Sequence, residues 1–257
     1  MRMPDKAKRL HFPRRGLAAG LALFLCLCPT PVCAADGEPT ATGGQAGTPV
    51  PAALTEVQKP EPFDGRGAIL MEAATGQVLY EQNADEAMPP ASVTKIMTLL
   101  LVMDAIEAGS LKWDDSVTAS TRASSMGGSQ IFLKEGEQMP VRDLVKSVVI
   151  ASANDAALAL AEAVSGSEEA FVRNMNQRAA ELGMKNTRYT GCVGFDAKQH
   201  YSTARDMAVL MDYCMSNEDF VRIISASSRQ VGEQCYYNPN KLLWRCEGCI
   251  GGKTGYT

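Results

Sequence analysis

Ala91-Ser92-Val93-Thr94-Lys95-Ile96-Met97-Thr98 follows directly on Pro89-Pro90, and the fold turns on how this stretch is read. Proline is not tolerated inside a helix. Beyond the pair, Ile96, Leu99, Leu100, Met103 and Ile106 recur at helical spacing, and Gly109 offers a stop. A helix therefore starts within the quoted stretch, with Ser92 at or near its N-terminus. Residues three apart on a helix share a face, with Cβ atoms about 5–6 Å apart. The Lys95 amine can thus reach the Ser92 hydroxyl. A serine hydroxyl is a weak nucleophile until a base takes its proton, and a lysine serves if burial and nearby cations lower its pKa. The helix N-terminus also favours negative charge developing beside it. In isolation, Ser-x-x-Lys is better read as a capping serine followed by a surface lysine.

Two further clusters lie downstream. Ser152-Ala153-Asn154 breaks a helical block between apolar Val148-Val149-Ile150 and an alanine-rich helix. Ser152 there can relay a proton between Lys95 and a leaving group, and Asn154 can orient Lys95 and hydrogen-bond a substrate amide. Taken alone these are ordinary capping residues. Lys253-Thr254-Gly255 sits in the Gly-rich run Ile250–Thr257, which reads as a strand. An exposed strand edge can pair with an extended peptide while Lys253 and Thr254 meet a carboxylate. Gly255 would let ligand backbone approach closely.

Together the three clusters are far more specific than any one of them. Ser-x-x-K, a Ser-x-Asn loop and Lys-Thr-Gly, in that order, characterise penicillin-binding proteins and class A β-lactamases. The segments Ala91–Thr98, Gly128–Leu133, Ser152–Ala157, Glu181–Thr187, His200–Ala204 and Lys253–Thr257 resemble the low-molecular-mass serine D-Ala-D-Ala carboxypeptidases. The likeness runs from about Phe63 to the last residue. It implies a penicillin-binding-protein or serine β-lactamase-like fold, in which an antiparallel sheet is flanked by helices beside an all-helical subdomain.

It also implies an acyl-enzyme mechanism. Ser92 would attack the carbonyl between the two terminal D-alanines of a peptidoglycan stem peptide, with Lys95 as base. The backbone N–H groups of Ser92 and Tyr256 would form the oxyanion hole, and Ser152 would pass a proton to the departing D-alanine. Lys253 and Thr254 would bind the terminal carboxylate. β-Lactam antibiotics should trap the acyl-enzyme, and neither a metal nor an organic cofactor is needed. Two departures stand out. Ala153 occupies a position where the family commonly has glycine, a change that should be tolerated. The family fold also continues past Lys-Thr-Gly with two strands, a β-domain and a membrane-anchoring helix. Read literally, the chain is expected to be a C-terminally incomplete domain of marginal stability and poor activity.

The surrounding sequence fits an exported domain. Of 25 Lys and Arg residues, six lie in residues 1–34 with one acid, leaving 19 basic and 28 acidic residues, about −9, in the remainder. An acidic body with no basic stripe argues against nucleic acid as a partner. The basic start, the apolar run Gly16–Cys28 and the small residues Val32-Cys33-Ala34 read as a signal peptide cleaved after Ala34. An uncleaved N-terminal anchor is the alternative. Any contact with a membrane is expected through this segment or the absent C-terminal anchor. Residues 35–62 are rich in Pro, Gly, Ala and Thr and read as a flexible linker. The folded domain is expected over 63–257.

Of the eight cysteines, Cys192, Cys214, Cys235, Cys246 and Cys249 lie beyond the signal. Cys246-x-x-Cys249 invites a redox or zinc reading. Zinc would need two more ligands, and His200 is the one histidine beyond the signal, so a local disulfide or plain thiols fits better.

Gly67–Ala73 and Gln77–Glu81 should form a hairpin across Ala74-Thr75-Gly76. Val141–Val149 and Ala156–Val164 read as helices, the second closed by Gly166. Ser167 should cap a helix ending before Gly183, and Thr203 one running to about Met215. Early strands, a helical block and a late strand define a mixed α/β (α+β) fold.

Three other functions compete. A β-lactamase needs a carboxylate to drive deacylation, and no Glu-x-x-x-Asn loop stands out between Asn154 and Lys253. A Ser-His-Asp hydrolase would have to rely on His200, which reads as part of a loop. A non-catalytic penicillin- or peptidoglycan-binding protein would not need Ser92 and Lys95 intact.

Overall fold

The two early apolar runs pair as expected in the computed structural model, which describes residues 64–256 apart from 232 and 233. The predicted signal and linker lie outside the described residues. Strands β1 (Ala68–Met71) and β2 (Val78–Gln82) are antiparallel, with a register shift between Leu70 and Met71. A 3-10 turn over Ala91–Thr94 then leads into α1 (Lys95–Glu107). Next come β3 (Ser116–Thr118), α2 (Thr121–Ser124), β4 (Gln138–Pro140) and α3 (Val141–Ile150). Helices α4 (Asn154–Ser165), α5 (Glu168–Glu181), α6 (Ala204–Cys214) and α7 (Glu218–Ile224) follow. The chain closes with β5 (Ser228–Val231), β6 (Gln234–Tyr237) and the short α8 (Leu242–Arg245).

The mixed α/β class holds. Among the described residues its strands form three separate antiparallel pairs, β1–β2, β3–β4 and β5–β6.

The core sits around α1 and α4. Lys95 to Leu100 are buried without a break, and so are Asn154 to Ala161. A helix apolar on every side belongs inside a domain, and the alanines of α4 let its neighbours come close. By contrast α3 buries a stripe, with Val141, Leu144, Val145 and Val148 spaced at i, i+3, i+4 and i+7. Caps set the boundaries. Ser167 Oγ accepts from Ala170 N at 3.2 Å, and Thr203 Oγ1 from Asp206 N at 3.1 Å. Gly166, at φ +78°, ends α4 in the left-handed region that favours glycine. No helix among the described residues is long and apolar enough to cross a membrane.

The final segment differs from its sequence reading. Residues 250–256 carry no strand. An extended run becomes a strand only through ladder hydrogen bonds, and among the described residues no such bond reaches this segment. Gly251 and Gly252, at φ +139° and +148°, also bend it away from a pleated path.

Candidate active site

Three backbone features bring the sequence clusters together. The first is the 3-10 turn, where Val93 N–H donates to Pro90 O at 3.0 Å and Ala91 takes φ +46°. This turn lifts Ser92 to a half-buried position while Lys95, one turn on, is 0% exposed. The Lys95 Nζ lies 2.9 Å from Ser92 Oγ and 2.9 Å from the Val193 carbonyl. Burial is the main cause that lowers the Lys95 pKa from 10.5 to about 7, aided by the positive charge of Lys253 and opposed by Cys192. A lysine so placed is half deprotonated near neutrality and faces the hydroxyl it would have to deprotonate.

The second feature is the run Gly191–Gly194, which supplies that carbonyl. Thr98 Oγ1 donates to Cys192 O at 2.6 Å, and Cys192 N–H donates to Glu168 Oε1 at 3.1 Å. Gly194, at φ +93°, presses against the nucleophile turn so closely that a Cβ would fall 1.9 Å from Ala91 O. His200 fastens the same turn from beneath. Its Nδ1 accepts from Thr190 N–H at 3.0 Å, so Nε2 carries the proton and donates to Thr94 Oγ1 at 2.8 Å. Burial lowers its pKa, with Asp196 acting against the shift, so the ring stays neutral. His200 thus bonds Thr94 and not Ser92, and the group that touches Ser92 Oγ is an amine. A Ser-His-Asp arrangement is not formed.

The third feature is the junction between α3 and α4. Ser152 sits at φ +56°, and its buried Oγ has no hydrogen-bond partner among the described residues. Ala153 has an ordinary φ of −61°, so its Cβ causes no backbone strain where the family often has glycine. Asn154 Nδ2 donates to Gly127 O at 2.7 Å, and Asn154 N–H to Ser129 O at 2.7 Å. The expected bond from Asn154 to Lys95 is not made. The Asn154 amide is taken up by the 127–129 loop, and the Val193 carbonyl orients the lysine instead. Asp155 pins the same loop by accepting from Ile131 N–H at 3.1 Å and Leu133 N–H at 3.0 Å. Substituting Asp155→Ala leaves these two amides unpaired and should cost about 2–4 kcal/mol of stability, readable from urea unfolding.

The Lys-Thr-Gly cluster closes the site. A Cβ on Gly255 would lie 3.1 Å from Pro90 O and 3.2 Å from Val93 Cγ2, so this glycine rests on the turn that carries Ser92. Lys253 is partly buried, which lowers its pKa to about 8. Its Nζ donates to Thr254 O at 2.7 Å. Tyr256 is 96% exposed, and Thr254 also faces solvent. Val193 is not singled out by the sequence; His200 reads as part of a loop and Asp155 as a capping residue, and neither reading carries the contacts made here. The tight glycine in Gly191-Cys192-Val193-Gly194 is the one local hint of the first. Among the described residues no group of three or more His, Cys, Asp or Glu side chains could hold a metal. No carboxylate among them hydrogen-bonds Ser92, Lys95 or Ser152.

A serine on a helix-leading turn, a buried amine against its oxygen and a second lysine beside them form the arrangement that a serine hydrolase with a lysine base would need. The comparisons narrow this class. The profile of the D-alanyl-D-alanine carboxypeptidase family matches residues 54–257, and the chain belongs to that family.

It is 44% identical over 199 residues to the D-alanyl-D-alanine carboxypeptidase DacF of Bacillus subtilis, covering 76% of this chain and 51% of that protein. Among solved structures, penicillin binding protein 5 from Haemophilus influenzae superposes with a TM-score of 0.74 at 34% identity, over 77% of this chain and 59% of that one. Penicillin-Binding Protein D2 from Listeria monocytogenes in its ampicillin-bound form gives a TM-score of 0.70 at 30% identity, over 77% and 82%. The chain spans about half the length of the curated relatives it matches.

Proposed function

We propose that the chain is a serine D-Ala-D-Ala carboxypeptidase that removes the terminal D-alanine from peptidoglycan stem peptides and is acylated by β-lactams. The observation that carries this reading is the Lys95 amine, 2.9 Å from Ser92 Oγ and lowered to about pKa 7. Lys95 takes the Ser92 proton as Oγ attacks the carbonyl between the two D-alanines. The backbone N–H groups of Ser92 and Tyr256 receive the oxyanion, a contribution of about 3 kcal/mol per donor. The unpartnered Ser152 hydroxyl then relays the proton to the leaving D-alanine amine. Lys253 and Thr254 hold the terminal carboxylate, and Asn154 meets the substrate amide. Water releases the shortened peptide.

The leader reading, with the family to which the chain belongs, supports work outside the cytoplasm. A membrane contact would come through the leader or through an anchor further along the protein. Ampicillin bound to the Listeria relative supports β-lactams as ligands.

The test is benzylpenicillin followed by mass spectrometry, together with D-alanine release from a stem pentapeptide. A stable adduct on Ser92, absent in Ser92→Ala, with D-alanine released by the unmodified chain, is the expected result. Rapid nitrocefin turnover without a lasting adduct would favour a β-lactamase instead. No adduct on folded chain would favour a binding role.

A further inference from the structure

Cys246 and Cys249 stand at the two ends of a tight turn that leads directly to Lys253. Cys249 N–H donates to Cys246 O at 3.2 Å, and Gly248 between them takes φ +83°. A turn closed this way brings its end Cα atoms within about 7 Å, and a disulfide spans Cα separations of up to about 6.8 Å. Both thiols are partly exposed, and each bonds only a nearby carbonyl, Cys246 Sγ to Glu247 O and Cys249 Sγ to Gly251 O, both at 3.7 Å. Cys192 and Cys214 are buried and out of an oxidant's reach, while Cys235 is exposed on β6.

The pair does not have the setting of an oxidoreductase. Cys246 follows the last turn of α8, so no helix N-terminus stabilises a thiolate at either sulfur. Its position matters for another reason. Among the described residues no ladder hydrogen bond reaches residues 250–256, and the path to Lys253 runs through two glycines. Gly251 passes Ile224, where a Cβ would lie 2.8 Å from Cγ2, and Gly252 passes Asn240 Nδ2, where it would lie 3.1 Å away. The Cys246–Cys249 turn is the last hydrogen-bonded anchor before this path.

We propose that Cys246 and Cys249 form a redox-controlled disulfide that fixes the start of the Lys253 segment, so that the oxidised chain acylates faster than the reduced one. The rate effect rests on the function proposed above; the disulfide does not. A disulfide-bearing oxidant of the glutathione type supplies the chemistry. One cysteine thiolate attacks the oxidant's disulfide and expels one thiol. The second cysteine thiolate then displaces the other, closing the Cys246–Cys249 bond. The two cysteines lose two electrons, the oxidant's two sulfurs gain them, and the two protons end on the released thiols. The closed ring removes the Cys249 thiol's bond to Gly251 O and holds the turn in one geometry. Pre-organising a binding segment lowers the ordering cost met on binding.

The experiment treats the full chain with oxidised glutathione, maps its peptides by mass spectrometry, and compares fluorescent-penicillin acylation before and after dithiothreitol. A Cys246–Cys249 peptide lacking two hydrogen atoms is expected. Oxidised chain should acylate roughly three- to tenfold faster than reduced chain. A Cys246→Ser, Cys249→Ser double variant should show the reduced rate under both conditions. Glutathione adducts or Cys235 cross-links in place of the internal pair overturn the disulfide, and equal rates in the two redox states overturn its effect. Absence of acylation in both states overturns the rate effect together with the proposed function, while the peptide map still judges the disulfide alone.

Discussion

Lys95→Met should lower the acylation rate of Ser92 by about 10³-fold and should stabilise the folded chain at neutral pH. Both effects arise from one buried amine. Its pKa is about 7 in the fold against 10.5 ordinarily, chiefly through burial and then through Lys253. Between these values the unfolded chain binds a proton that the folded chain does not, so the unmodified protein gains stability as pH rises through this window. Below pH 7 the amine is charged and buried, and its full penalty is present. Methionine fills similar space without charge but leaves the Val193 carbonyl unpaired, so the net gain is about 1–3 kcal/mol at pH 7. Chemical denaturation of both proteins between pH 6 and pH 9 checks the sign: the variant's curve should be flatter.

The rate should show the complementary dependence. The free amine is the base, so acylation rises with pH through about 7. Lys253 loses its charge at about 8, so the rate with a carboxylate-bearing substrate falls again above that value. A narrow bell is expected.

The second large effect belongs to Lys253. Lys253→Met should reduce kcat/KM for a D-Ala-D-Ala peptide by about 10²-fold, the loss expected when a charged hydrogen-bond partner of a carboxylate is removed. A merely structural lysine could cause the same drop, so the pH profile decides. The Lys253 charge helps lower the Lys95 pKa. Removing it should move the acidic limb to higher pH and abolish the alkaline limb. Above both acidic limbs, a peptide whose terminal carboxylate is amidated should be handled almost equally by both proteins. An unchanged acidic limb would show that Lys253 does not act on Lys95.

Much of this was legible in the sequence because much of it is local. Caps such as Ser167 and Thr203 bond amides three residues away, so their helices can be read from composition alone. The Ser92–Lys95 pair is equally local, set by one turn of backbone. What could not be read depends on distant backbone. The Val193 carbonyl reaches Lys95 across 98 residues and His200 reaches Thr94 across 106, and a carbonyl has no side-chain identity to betray it. Asn154 was assigned to Lys95 because the two share a site, yet its amide is claimed by Gly127 O. The strand over 250–257 was over-read for a related reason: local pattern reports an extended chain but not whether a partner strand lies beside it.

The glycines around Ser92 also shape how this protein can change over generations. At 194 a methyl group would collide with Ala91 O, at 255 it would press on Pro90 O, and at 128 it would strike the Asn154 amide, 2.8 Å away. The block is hardest at 194, where the obstructing atom is backbone; at 255 the neighbours need only yield a few tenths of an ångström, and at 128 a side-chain tip must shift while the φ of +77° strains any other residue. Ala153, with its relaxed backbone, shows where drift is permitted. Sequence space near this site is therefore a narrow corridor, walled by the absence of Cβ atoms rather than by the identity of reactive groups.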